Sequence, residues 1–186
     1  VLFESDDIST MWNYISSNPI TEPMTLQFNT SDVFLLESTL YFNFNNQGHL
    51  FTVRSQSGQK PVLDVQLKDE TVLASNMSNV WFEGLMLINA DPNDASGSIV
   101  RHYGGTRDIV YKNIHIKRGW CGMRATTNIT NLTIDGWKVE EVCEGALRLG
   151  DGGVPEEFDM FNLVVKNIYG YDSLNGGIIP GTTSNL

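Results

Sequence analysis

Long apolar runs and surplus positive charge are both missing from this sequence. No apolar stretch approaches the roughly 20 residues that a membrane-spanning helix needs, so no membrane partner is expected. Twelve Lys and Arg stand against 22 Asp and Glu, a formal charge of −10, which argues against general nucleic-acid binding. Two cysteines, Cys121 and Cys143, establish neither a disulfide framework nor a zinc site by themselves. The three histidines, His49, His102 and His115, lack metal-site spacing and read first as surface or turn residues. There is no G-x-S-x-G, H-E-x-x-H, phosphate-binding loop or dinucleotide fingerprint. No signal peptide precedes Val1, so the chain reads as a processed or trimmed product.

A nine-residue frame recurs instead. "NVWFEGLML" begins at Asn79, "DIVYKNIHI" at Asp108, "NLTIDGWKV" at Asn131 and "NLVVKNIYG" at Asn162. The copies start 29, 23 and 31 residues apart, too close for a βαβ crossover each time, and no helical period lies between them. Alternation of period two within each copy predicts strands. Strands that cannot bury a face alone do so by stacking, so a single domain, 1–186, is predicted as a coil of short strands.

Aligned, the copies form three inward columns. Val80, Ile109, Leu132 and Leu163 make the first; Phe82, Tyr111, Ile134 and Val165 the second; Leu85, Ile114, Trp137 and Ile168 the third. The outward column Glu83, Lys112, Asp135 and Lys166 alternates in sign, which is attractive between stacked strands. The opening Asn79, Asp108, Asn131 and Asn162 suit a polar ladder at a turn. Gly84, Asn113, Gly136 and Asn167 suit a bend where left-handed backbone is cheap. A second strand series follows each copy: "SIVRH", "GMRAT", "GALRL" and "GIIPG". Upstream, Ile8, Met11, Trp12 and Ile15 share one helical face, with Ser5, Asp6 and Asp7 at its start and Pro19 as its stop. Residues 1–19 are therefore predicted as a cap, helical over about 6–17, that protects the sheet edge of coils built from 20–186.

These repeats, "SNVWFEGLMLINA" above all, resemble the pectin-lyase-like superfamily and are similar to early turns of chondroitinase-B and alginate-lyase-type enzymes. The resemblance implies an all-β, right-handed single-stranded parallel β-helix, here of roughly six or seven turns, with the N-terminal α-helix as its cap. It also implies a secreted carbohydrate-active protein, and four N-x-S/T sequons, at Asn29, Asn76, Asn128 and Asn131, agree with an extracellular glycoprotein. "WKVEEVCEGALRL" resembles the "WWEDVCEDA" signature of small secreted pectate lyases, whose Glu-Asp pair binds calcium. Glu144 matches the Glu, but Gly145 replaces the Asp. The aspartate triad and Gly-His-Gly of polygalacturonase-like hydrolases are not present, which disfavours inverting hydrolysis.

The segment from Arg101 to Arg148 holds eight of the twelve Lys and Arg and only five acids. It reads either as a cleft for a polyanion or as clustering on a solvated face. A lyase acting beside a uronate carboxylate must neutralise that carboxylate and supply a base. Arg124, Arg148 and His102 are the candidate catalytic groups, with Arg101, Tyr103, Lys117 and Trp120 as substrate-binding residues. Glu144 and Asp151 are candidate ligands for Ca2+. The same arginines could instead pair with nearby acids, and Trp81, Trp120 and Tyr169 could be packing rather than sugar platforms. The leading expectation is a lyase cleaving an acidic, uronate-containing polysaccharide. The alternative is a non-catalytic glycan-binding or structural β-helix, able to self-associate through an open edge. A Cys121–Cys143 disulfide between adjacent turns is a further expectation, against two small buried thiols.

Overall fold

The computed structural model describes residues 8–94, 97–103, 106–125, 129–149, 160–171 and 178–180. The helix α1 (Ile8–Ser17) comes first, within the span anticipated from its apolar spacing. The first turn of the coil is β1 (Met24–Phe28), β2 (Val33–Leu35) and β3 (Leu40–Phe42). The second is β4 (Phe51–Ser55), β5 (Val62–Asp64) and β6 (Leu73–Ser75), and the third is β7 (Val80–Glu83), β8 (Met86–Ile88) and β9 (Val100–His102). Thereafter the first two strands of each turn fuse. The pairs are β10 (Thr106–Gly119) with β11 (Met123–Ala125), β12 (Ile129–Val142) with β13 (Leu147–Leu149), and β14 (Met160–Tyr171) with β15 (Ile178–Pro180).

Every rung pairs in parallel with the next, so three faces run along a β-solenoid. Face one is β1, β4, β7 and the first halves of the long strands; face two is β2, β5, β8 and their second halves. Face three is β3, β6, β9, β11, β13 and β15. Six rungs stack along the coil among the described residues, and residues 20–78 supply the two that begin at Met24 and Phe51. Among the described residues no helix is long and apolar enough to cross a membrane.

The inward columns stack as aligned. Ile109 pairs with Val80 and Leu132, and Tyr111 with Phe82 and Ile134, all buried. Aromatic rings form a spine through the core. Phe82 stacks on Tyr111 at 5.1 Å, and Trp137 meets Tyr111 edge-on at 5.5 Å. Such pairs add about 0.5–1.5 kcal/mol each beyond area burial. At the N-terminal end Trp12 of α1 packs edge-on against Phe42 and Phe44, at 4.7 and 5.0 Å, so the helix covers the first rung. That contact protects apolar rings which an uncapped coil would leave to water.

Corners are where side-chain identity and backbone meet. Asn79, Asp108, Asn131 and Asn162 all take left-handed φ between 54° and 58°. Their side chains form the anticipated ladder: Asn131 donates to Asp108 at 2.6 Å, and Asn162 to Asn131 at 2.8 Å. Gly84, Asn113, Gly136 and Asn167 are left-handed at the bend between faces one and two. At Gly136 a Cβ would lie 2.5 Å from the Asn113 Oδ1, so glycine is needed for space as well as for φ. A further left-handed corner, at Asn89, Arg118 and Glu141, has no such residue signature.

The cysteines do not join. Cys143 N bonds Gly119 O and Glu144 N bonds Trp120 O, so Cys121 lies one position out of step with Cys143. Period-two geometry then sends their side chains to opposite sides of the wall. Cys121 is buried and its thiol reaches Met123 O, while the half-buried Cys143 thiol reaches Pro92 O. Burial, with the Glu144 charge adding to it, pushes the Cys121 thiol up to about 12, so it is an inert core group.

Candidate functional site

On face three the register places Arg101, Arg124 and Arg148 directly beside one another, on β9, β11 and β13. Val100, His102, Met123 and Ala125 flank them and are buried, so alternation turns all three arginines outward. Adjacent parallel strands lie about 4.8 Å apart, and like charges opposite one another are destabilising. The outward column of face one obeys the opposite rule. Lys112 pairs with Glu83 at 3.0 Å and Lys166 with Asp135 at 3.1 Å.

The arginine column takes its counter-charges from the side. Arg101 Nη1 meets Glu70 Oε1 at 3.3 Å, and its guanidinium lies 4.8 Å from the centre of the Tyr103 ring. Arg148 Nη1 donates to both carboxylate oxygens of Glu144, at 3.0 and 3.2 Å. The Tyr103 phenol has its pKa raised, chiefly by burial, with Arg101 pulling the other way.

The other anticipated residues divide by strand parity. His102 follows an outward arginine and therefore points inward. It is completely buried, its Nε2 lies 2.5 Å from the Tyr111 hydroxyl, and burial lowers its pKa to about 4. A side chain in that position cannot touch a polymer on the outside of the coil, so its assignment as a catalytic group is withdrawn. Tyr103 returns to the arginine side. Lys117 is on face two, 3.0 Å from Glu141, away from the arginine column. Trp120 is half-buried at the turn before β11, where its carbonyl accepts Glu144 N.

Both carboxylate oxygens of Glu144, an anticipated calcium ligand, accept from Arg148. Among the described residues no group of three or more His, Cys, Asp or Glu is placed to hold a metal. Asp151 lies outside the described residues.

A concavity elsewhere on the coil has no counterpart in the linear sequence. Where faces one and two meet at the left-handed bend, an elbow groove of about 940 Å³ runs along the coil. Gly84, Asn113 and Gly136 form its floor, and Arg54 and Glu83 stand on one wall. His115, Lys138 and Tyr169 occupy matched positions on the other. His115 Nε2 lies 3.3 Å from Glu140, whose pKa is lowered, chiefly by its bond to Lys138. Finding this groove requires folding together wall residues that lie 23 to 31 positions apart, and no local motif marks it.

No family model matches the chain, and no match was found among curated proteins or solved structures.

Proposed function

We propose that the protein is a secreted carbohydrate-active β-helix, akin to the pectin-lyase-like proteins, that binds and cleaves an acidic, uronate-containing polysaccharide along face three. The observation carrying this reading is the in-register column of Arg101, Arg124 and Arg148. A polyanion laid along the coil would meet one cation per rung, and the rung spacing of about 4.8 Å is close to the length of one pyranose unit. Like charges stacked against the interest of the fold are a feature expected at a ligand face rather than in a support.

The chemistry suited to such a face is β-elimination. A base removes the proton on the carbon beside the uronate carboxylate, the glycosidic C–O bond at the next carbon breaks, and a carbon–carbon double bond forms. Arg148, held in place by Glu144, is the clamp that neutralises the carboxylate and stabilises the charge that develops there. In that step Arg124, central in the column, would have to act as the neutral guanidine to take the proton, the departing glycosidic oxygen takes a proton from water, and Arg101 with Tyr103 holds the neighbouring sugar.

A non-catalytic glycan binder is the second reading. It is favoured by the pairing of Arg101 and Arg148 with acids already in place. One experiment separates the two. The wild type and Arg124→Gln/Arg148→Gln are incubated with pectate, alginate and glucuronate-containing polymers, and binding and the near-ultraviolet absorbance of unsaturated uronate are followed. A lyase generates absorbance that the double variant loses, whereas a binder retains the polymer intact. Equal binding and equal turnover by the two proteins would remove face three from consideration.

A further inference from the structure

The elbow groove holds a charge imbalance that the fold does not resolve. Register sets Arg54 beside Glu83, yet the Glu83 carboxylate is turned to Lys112, one rung further on. Arg54 gives only its Nε to Gln27 Oε1, at 2.9 Å. Lys60, in the loop between β4 and β5, also lines the groove. Among the described residues neither Arg54 nor Lys60 has an acidic partner, and both are exposed. Two cations with nothing to neutralise them thus stand at one end of a concave, solvent-filled strip.

The far end is aromatic. Tyr169 is 64% exposed on face two, beside Lys138, and lines the same groove. Arg54 and Tyr169 are four rungs apart, about 19 Å at the parallel-strand spacing. Between them the walls present His115 and Lys138, and the floor presents the Asn113 amide. Planar amides and cations bond hydroxyl and carboxylate oxygens, and an exposed phenol ring offers a stacking surface for a pyranose.

We propose that the elbow groove is a second ligand site, for a linear oligosaccharide carrying carboxylates. The chain lies along the coil axis with a carboxylate at Arg54 and Lys60 and a sugar ring on Tyr169. The groove spans about four sugar units, and the carboxylate meets two cations, Arg54 and Lys60, that have no acidic partner among the described residues, while His115 and Lys138 further along keep Glu140. The site stands on its own geometry and does not require that face three bind anything.

The test is calorimetric titration with hexameric oligouronates (galacturonate, mannuronate and glucuronate-containing) and their methyl esters. The proteins are the wild type, Arg54→Gln/Lys60→Gln, Tyr169→Ala and Arg124→Gln/Arg148→Gln, each checked for an unchanged unfolding transition. All the altered elbow side chains are exposed, so folding should be preserved. The Arg54/Lys60 variant is expected to weaken binding of an acidic hexamer at least tenfold and to leave the ester unaffected. Tyr169→Ala should weaken both. The face-three variant should keep an elbow site of wild-type affinity. Absence of binding to every hexamer, loss of all binding in the face-three variant, or unchanged binding in both elbow variants would each overturn the proposal. In the second case the failure would lie with the elbow alone, because face three would then be the sole site.

Discussion

Two outward columns run along the same coil and follow opposite electrostatic rules. On face one Arg54, Glu83, Lys112, Asp135 and Lys166 alternate in sign, and neighbours pair at 3.0 and 3.1 Å. On face three Arg101, Arg124 and Arg148 repeat one sign, and two of them turn to acids at the side of the column. Strand spacing and parallel register are shared, but the face-three arginines are the less exposed, Arg101 at 18% and Arg148 at 24% against 41% for Lys112 and 57% for Lys166. The alternating column satisfies itself, and the uniform one takes counter-charges from acids beside it, Glu70 and Glu144. At the N-terminal end of the alternating column the pattern fails, because Lys112 takes Glu83 from Arg54, and there the elbow groove gains a cation with no acidic partner among the described residues.

The two faces are also joined beneath their surfaces, and cutting that joint gives the largest effect. Tyr111 lies under face one and His102 under face three, and their 2.5 Å contact crosses the core. The folded His102 pKa, about 4, is below its unfolded value of 6.5. The contribution is therefore fully present above pH 6.5 and is lost as pH falls toward 4, by about 3 kcal/mol in total. Replacing His102 by Leu and Tyr111 by Phe removes both polar groups together. Denaturant melts should show wild-type stability falling through that window and a much flatter profile for the pair. The carboxylates with lowered pKa values, Asp135 and Glu140, stabilise above their unfolded range and are lost only as pH falls below it, near 4. An equally steep loss between pH 6.5 and 4.5 in the double variant would refute the bridge.

Glu83→Lys sharpens the comparison by writing the rule of face three into face one. Arg54, the new lysine and Lys112 would then stand in register with one sign. The Glu83–Lys112 pair is partly exposed, so the expected loss is modest, about 1 kcal/mol, and it should shrink with salt. The measurement is the urea midpoint at low and high ionic strength. A midpoint that does not move would mean that alternation on face one contributes nothing to stability.

Much of this was legible because apolar spacing of period two is a physical requirement of a stacked strand. Val80, Phe82 and Leu85 announce their column four times over. The polar ladder was legible for a similar reason, since Asn and Asp tolerate left-handed backbone. Arg118 and Glu141 also sit in that conformation, and nothing in their chemistry favours it, so their corner gave no signal. Parity errors account for the residues placed wrongly. His102 could not share a face with Arg101, its immediate neighbour, and one residue of offset separates the cysteines. The elbow groove was invisible for another reason. It belongs to the angle between two faces, and Arg54 and Tyr169 become neighbours of one cavity only after four rungs have stacked.

The smallest effect is the most telling for face three. Arg124→Gln removes the central cation and relieves repulsion from Arg101 and Arg148, at the cost of whatever local pairing the guanidinium makes. Its neighbours keep Glu70 and Glu144. The two contributions oppose each other, and the expected change is within about 0.5 kcal/mol, as for most surface substitutions away from caps and cores. Denaturant midpoints measured beside those of Glu83→Lys give the comparison directly. A support column would lose stability from both substitutions alike, because either would break a repeat on which the coil depends. A ligand face would lose stability only from the first, and from Arg124→Gln it would lose affinity for acidic polymers. A destabilisation of Arg124→Gln as large as that of Glu83→Lys would therefore place the arginine column among the structural parts of the coil.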